Sequence, residues 1–222
     1  MLFRSDMHIL LLDQRIADRP CPTLEELVNA IGSHGLQVSL CCPALGEPTD
    51  GPLATSHGWP IRLDLLSAGG EEWSGFLDAA ARGDSLSAAA ARLTDPPLGR
   101  LREAVRRAVT RAVDKTDVDV LFVCQAGLLV EFAIETGPPV AAHADATDLD
   151  SLESAGRLRD IVAASLSSCD LLAADSAATA AQLGSRWIEP DPERPIEIWP
   201  LADSAKQVVD GCQKALTRRF TP

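Results

Sequence analysis

The residues best suited to chemistry form a short cluster that follows an apolar stretch in the second half of the chain. The cluster holds the imidazole of His143 and the carboxylates of Asp145, Asp148 and Asp150. Such groups can bind a metal ion or act as a general base, although a carboxylate in this place more simply caps a following helix. We expect Asp148 or Asp150 to cap a helix that begins at Leu152. His143 and Asp145 are the predicted catalytic pair, and Asp148 is a predicted substrate-binding residue.

Two further polar positions follow apolar stretches. Asp175 and Ser176 precede an Ala-rich segment, where either side chain can cap a helix whose N–H groups would attract an anion. Capping alone is the simpler interpretation, but Ser176 is retained as a predicted substrate-binding residue. Asp13 ends the first apolar stretch and is the third predicted substrate-binding residue, after Asp148 and Ser176. A phosphoacceptor role for Asp13 is not favoured, because the acidic partner, Thr and Lys of such a site are not evident at later strand ends.

The hydrophobic pattern shows which elements must position these residues, because short buried stretches alternate with segments of helical period. Strands are predicted at residues 8–13, 37–42, 61–65, 120–123, 140–143, 171–174 and 196–199. Helices are predicted at residues 23–35, 71–82, 85–93, 97–115, 128–135, 152–168, 177–183 and 203–218, with a loop at residues 43–59. The helix signals include a Thr23 and Glu26 capping box and a capping Asp203.

This alternation predicts an α/β fold: a doubly wound parallel sheet of six or seven strands with helices on both faces. The 222 residues are expected to form a single Rossmann-like domain, because two full-size lobes will not fit in this length. In such a sheet, ligands meet the carboxyl ends of the strands, where the clusters after the fifth and sixth predicted strands lie.

Several enzyme classes lack their motifs here. The segment after the first strand contains no G-x-G-x-x-G, so a dehydrogenase is not expected. The chain also has no P-loop motif and no G-x-S-x-G, which argues against P-loop NTPases and the usual serine hydrolases of this fold class.

The composition of the chain limits which partners it can bind and indicates its cellular compartment. With 20 Lys and Arg against 32 Asp and Glu, the net charge of −12 argues against nucleic acid as a partner. The sequence shows no signal peptide or membrane span, and a cytoplasmic location is expected. The six cysteines form no C-x-x-C pair and are expected to be reduced and structural. Trp187 and Trp199 are expected to pack beneath a loop rather than to stack on a substrate.

The order of these features resembles the N-terminal domain of the GT-B-fold glycosyltransferases of family 4. The stretch DVDVLFVCQAGLLVEFAIETGPPVAAHAD is similar to the family's D-V-x-H-x-H … P-x-V-x-T-x-H-D passage and places His143 on its crevice-facing His. DLLAADSAATAAQL is similar to A-D-x-V-x-x-x-S-x-x-x-x-x-x-L and places Ser176 on the family Ser. IEIWPLAD is similar to I-x-V-I-P-N-G-V-D, with Pro200 and Asp203 matching. HILLLD resembles the opening strand, and Leu36 stands where the family usually has His.

The resemblance implies retaining transfer of a hexosyl group from a nucleotide sugar to a sugar or glycan acceptor, between two lobes and without a required metal or cofactor. This chain would be the acceptor-side lobe. Two departures matter: DQRIADRPCPT replaces the family's Gly-rich loop after strand one, and the donor-binding second lobe is not in the sequence. The chain alone is therefore expected to be inactive, with a second lobe or a homodimer covering its open face.

Two other hypotheses remain open. The chain could be a non-catalytic binding or scaffold protein that kept the fold and lost the chemistry. It could also be an unrelated doubly wound enzyme whose site is the 143–150 loop.

Overall fold

The sheet determines the architecture and confirms the predicted fold class. A computed structural model describes residues 7–16, 22–44, 58–62, 70–189, 191–200 and 204–220. Its strands are β1 (His8–Leu12), β2 (Gln37–Ala44), β3 (Gly58–Arg62), β4 (Val120–Val123), β5 (Val140–Ala144), β6 (Leu171–Ala174) and β7 (Glu197–Ile198). They form one seven-stranded sheet in the order β3-β2-β1-β4-β5-β6-β7, and every pair is parallel.

Except after β2, where residues 45–57 lie outside the described part of the chain, each strand is followed by one or more helices, as is usual in a parallel sheet. They are α1 (Pro22–Ser33), α2 (Ser74–Ala81), α3 (Leu86–Ala90), α4 (Pro97–Thr116), α5 (Leu128–Glu135), α6 (Ala146–Glu153), α7 (Arg157–Ser167), α8 (Ala177–Arg186) and α9 (Ser204–Phe220). A 3-10 helix at Gly70–Trp73 precedes α2, so the first part of the helix predicted at 71–82 is not α-helical.

Alternate side chains of the interior strands face two apolar layers. In β1, Leu10 and Leu12 face a layer that contains residues of α2 to α8. Ile9 and Leu11 face the other layer, to which α1 and α9 contribute. Both faces of β1 are buried, which explains why its sequence is apolar at successive positions instead of alternating.

Two predictions near the sheet edge are wrong. The predicted loop at 43–59 overlaps strands at both ends, because β2 continues through Ala44 and β3 begins at Gly58. Pro43 and Ala44 are buried beside β3, in register with Ile61 and Arg62. Parallel pairing thus outweighs the turn propensity of Pro43. The third strand begins three residues before the predicted start at 61, and residues 45–57 and 63–65 fall outside the described part of the chain.

The predicted helix at 152–168 is also wrong, because two helices occupy this region. Helix α6 begins directly after β5, where the Asp145 carboxylate accepts a hydrogen bond of 2.8 Å from the Asp148 N–H. The N-cap is therefore Asp145, and the prediction that Asp148 or Asp150 caps the helix is wrong. The chain turns at Gly156, whose φ of 52° lies in the region that favours glycine, and α7 starts one residue later.

The ends of the two helices that flank the site are only partly described. Helix α1 begins at Pro22, one residue before the predicted start, and the side chain of Thr23 lies outside the described residues. Asp203, the predicted cap of the last helix, also lies outside them. Within the described ranges, no helix is both long enough and apolar enough to cross a membrane.

Candidate functional site

A cavity of about 190 Å³ lies where the strand order reverses, between β1 and β4. It opens at the carboxyl ends of β4 and β5, beneath the first turns of α1 and α9. Its lining consists of Arg15, Leu24, Leu27, Phe122, Cys124, Gln125, His143, Asp145, Trp199, Pro200, Gln207 and Val208. Doubly wound sheets bind their ligands in this crevice, so the cavity is the candidate site.

Among the described lining residues His143 is the one imidazole, and β5 holds it with 3% of its surface exposed. Its Nε2 lies 3.1 Å from the backbone carbonyl oxygen of Trp199. A carbonyl can only accept, so Nε2 carries the proton of this hydrogen bond. In the neutral ring Nδ1 is then an acceptor, as a general base or a ligand-hydroxyl acceptor must be.

Trp199 is fixed by contacts on both sides of its indole ring. The ring stacks on Phe122, with centroids 6.3 Å apart and planes inclined by 12°. A Cβ atom on Gly211 of α9 would overlap the indole, so glycine is required for this close approach. Nε1 donates to the Glu197 carboxylate at 3.1 Å. Trp199 therefore packs between β4 and α9 while its ring also lines the cavity, and its carbonyl is a fixed acceptor for His143.

Asp145 and Asp148 form a carboxyl pair at the edge of the cavity. Asp145 belongs to the lining, whereas Asp148 lies behind it with 4% of its surface exposed. Burial, and after it the negative charge of Asp145, raises the pKa of Asp148 to about 8. Asp148 is therefore mostly protonated at neutral pH and places a neutral carboxyl group beside the cavity.

Asp13 supports the cavity indirectly. It is 1% exposed, and burial raises the pKa of its carboxyl although the Arg15 guanidinium lies 3.1 Å away and opposes the shift. Arg15 itself is part of the lining. Asp13 thus positions a cationic side chain at the site.

The glycine-free segment after β1 is locked to the segment after β4. Buried Gln14 donates to the Gln125 carbonyl and accepts from the Ser87 hydroxyl. Ser87 in turn accepts a 2.8 Å hydrogen bond from the N–H of Leu128, the first residue of α5. A Cβ on Gly127 would overlap the Ser87 hydroxyl. The Ser87 hydroxyl therefore occupies the first N–H of α5. This N–H is not available to a ligand, as it would be beside an open Gly-rich loop.

The predicted site residues do not all converge. Ser176 caps α8 by accepting from the Thr179 N–H at 3.2 Å, and Asp150 accepts from Gln182 at 2.9 Å on the surface. Among the described residues that line the cavity, only His143 and Asp145 belong to the predicted site. Within the same ranges, no group of three or more His, Cys, Asp or Glu is placed to hold a metal ion.

Sequence reasoning missed Arg15, Gln125 and Gln207. The first two lie within three residues of the ends of β1 and β4, the strands on either side of the reversal in strand order. Their position after a strand was the available signal. Gln207 had no such signal, because α9 is far from β4 in sequence and returns to the site only in the folded chain.

No protein-family model and no curated protein matches the chain. Among solved structures, it is similar to a sucrose-phosphate synthase from Thermosynechococcus elongatus, with 12% identity, a TM-score of 0.56 and coverage of 97% of this chain and 100% of that one. A lipopolysaccharide outer core galactosyltransferase shows 11% identity and a TM-score of 0.49, with 83% of this chain and 45% of that chain covered. A UDP-GlcNAc 2-epimerase from Neisseria meningitidis shows 12% identity and a TM-score of 0.47, with 86% and 45% covered.

The chain spans less than half the length of the galactosyltransferase and of the epimerase. At these identities the similarity concerns the fold, for which the nearly complete overlap with the synthase chain is the relevant comparison. The chain has an α/β Rossmann-like fold that matches one lobe of a GT-B glycosyltransferase.

Proposed function

We propose that this chain is the acceptor-side lobe of a glycosyltransferase of the family 4 type, corresponding to its N-terminal domain. One observation carries the proposal: His143 and Asp145 line a cavity at the strand-order reversal of a single GT-B-type lobe. The acceptor would enter this cavity, and a nucleotide sugar would reach it from a second lobe. The proposed reaction is retaining hexosyl transfer in the cytoplasm.

Each predicted site residue has a role in this proposal. The Nδ1 atom of His143 accepts a hydrogen bond from the acceptor hydroxyl, because Nε2 is already bound to the Trp199 carbonyl. The Asp145 carboxylate orients the same hydroxyl. Asp13 and Asp148 act through Arg15 and Asp145, and Ser176 remains a predicted substrate contact outside the cavity lining.

The chain by itself should not turn over. Departure of a nucleoside diphosphate requires cationic or N–H donors around the phosphates, and the two lobes would each supply a part of them. The cationic side chain in the cavity lining, Arg15, is already engaged by Asp13. A second lobe, or a second copy over the open face, would have to complete the site.

The test is a transfer assay with labelled nucleotide sugars, run on the full chain alone and with a donor-binding lobe from the same or an adjoining reading frame. We expect transfer only in the completed protein and a loss of about 100-fold or more in His143→Ala. Asp160→Asn, which changes an exposed carboxylate on α7, is the matched control and should keep full activity. No transfer from any nucleotide sugar to any acceptor in the completed protein would refute the proposal.

A non-catalytic binding protein is the second candidate, and a specific observation favours it. His143 and Asp145 both already make hydrogen bonds that stabilise the fold, to the Trp199 carbonyl and the Asp148 N–H. A protein can retain residues that stabilise its fold in this way even after it has lost catalytic activity. Ligand binding without transfer in the completed protein would support this candidate.

A further inference from the structure

The size of the cavity restricts its occupant. Its volume of about 190 Å³ is close to that of an engineered cavity, on the order of 150 Å³, that accommodates a benzene molecule. One six-membered ring therefore fills the site. A disaccharide or a nucleotide would have to extend outside it.

The walls of the cavity are mainly hydrocarbon. Leu24 and Leu27 of α1 and Val208 of α9 line it together with the rings of Phe122 and Trp199. Four of these five side chains are less than a tenth exposed, and Leu27 is half-buried. A ligand hydroxyl that faced such a wall would lose water without gaining a partner, at a cost of about 1–3 kcal/mol.

Buried acceptor atoms in the cavity lining lack a hydrogen-bond partner. The side-chain Oε1 atoms of Gln125 and Gln207 are buried without a hydrogen-bond partner, and both residues belong to the lining. Whenever the His143 ring is neutral, its Nδ1 is a third acceptor, because Nε2 carries the proton donated to the Trp199 carbonyl. Buried acceptors of this kind require a donor, and a ligand O–H supplies one.

The charges in the lining are balanced. Arg15 is its cationic residue and is held by Asp13, while Asp145 is its carboxylate. An anionic ligand would meet Asp145, and a cationic one would meet Arg15. A neutral ligand avoids both conflicts.

From these four observations we propose that the cavity binds a neutral, mainly hydrocarbon ring with one or two hydroxyl groups, such as a phenol or a cyclic alcohol. A sugar ring, which carries a hydroxyl on nearly every carbon, is a poorer fit. That this ring is the acceptor of a transfer reaction rests on the proposed function; that it binds does not. The proposal replaces the expected sugar or glycan acceptor with an apolar one.

The test compares rings of equal size and different polarity. Amide NMR titration of the full chain would measure the Kd of cyclohexanol, phenol, myo-inositol and methyl α-glucoside. We expect cyclohexanol and phenol to shift the same signals around His143 and to bind at least about tenfold more tightly than the two polyols. Equal or tighter binding of the polyols, or no binding of the two apolar rings, would overturn the proposal.

A variant pair locates the binding. Leu27→Gln places an amide on the half-buried wall position of α1 and should weaken phenol binding by about tenfold. Leu77→Gln makes the same change on α2 at a side chain that is 37% exposed and outside the cavity lining, so it should leave the Kd unchanged. Equal effects of the two substitutions would contradict binding in this cavity.

The two proposals fail separately. If the apolar rings bind but the completed protein transfers no sugar, the acceptor-lobe function is wrong and the binding inference stands. If the completed protein transfers to sugar acceptors and the apolar rings do not bind, the binding inference is wrong and the acceptor-lobe function stands.

Discussion

At the scale of single residues, the two carboxyls beside the cavity have unequal roles. Asp145 reaches the cavity and caps α6, while Asp148 is buried behind it and has a pKa raised to about 8. Burial is the larger cause of this raised pKa and the charge of Asp145 is the next. Asp148 is therefore mostly protonated at neutral pH, which relieves the repulsion between the two carboxyls.

Asp148→Asn should make the stability less dependent on pH. Because the folded-state pKa is raised from 3.8 to about 8, the stabilising contribution of the neutral carboxyl is full below pH 3.8 and is lost as the pH rises toward 8. The Asn variant mimics the neutral carboxyl at every pH. It should exceed the wild type by at least about 1 kcal/mol in unfolding free energy near pH 8 and lose that advantage near pH 4. Urea titrations across this range measure the difference, with Asp160→Asn as the surface control. An advantage that does not change with pH would mean that Asp148 is ionised throughout.

Substitution of His143 should separate its structural and chemical roles. His143→Leu leaves the buried Trp199 carbonyl without its donor and should lower the unfolding free energy by about 1–3 kcal/mol. His143→Gln can still donate from its amide and should cost less than about 1 kcal/mol, while transfer activity is lost in both variants. Urea unfolding gives the first result and the transfer assay gives the second. Equal stability losses in the two variants would show that the Trp199 hydrogen bond is not what holds the ring.

At the scale of elements, α9 closes the site because its single glycine, Gly211, lets it approach Trp199. Gly211→Ala should displace the indole, because a Cβ would overlap the ring. Overpacking of this kind costs about 1–3 kcal/mol, and the shifted Trp199 carbonyl would also loosen His143. Gly99→Ala on α4 is the control, because no atom lies within 4 Å of its added Cβ, and it should stabilise the chain by about 0.5 kcal/mol. Thermal unfolding and tryptophan fluorescence measure both variants. A neutral Gly211→Ala would refute the close packing of α9 on Trp199.

The interior strands could be predicted from sequence because burial on both faces leaves an apolar signal at each position, as in β1. The break between α6 and α7 could also have been found, since Asp145 precedes Asp148 by the capping distance and Gly156 marks a turn. The cavity could not. Its walls combine Leu24, Phe122 and Val208, residues that come together only through the sheet order and the return of α9, which local patterns do not encode.

At the scale of the whole molecule, a net charge of −12 opposes compaction, while local ion pairs support it. The arginines of α4 illustrate the second effect. Arg102 pairs with Glu131 of α5, and Arg106 pairs with Glu135 of α5 at 2.7 Å and with Glu103 at 2.9 Å. These pairs neutralise much of the basic face of α4.

Added salt should therefore have two opposing effects on stability: it weakens the repulsion among the excess carboxylates, and it weakens the attraction within the ion pairs. We expect the wild type to become more stable between about 0.02 M and about 0.5 M NaCl, because screening weakens the repulsion among its excess carboxylates. Arg106→Gln removes one positive charge, taking the net charge from −12 to −13, and breaks an exposed pair network. It should cost about 0.5–1 kcal/mol at low salt and less at high salt, because screening has already weakened the pairs in the wild type. Urea midpoints for both proteins at the two salt concentrations test the prediction. A wild type that loses stability in NaCl would show that its ion pairs outweigh its net charge.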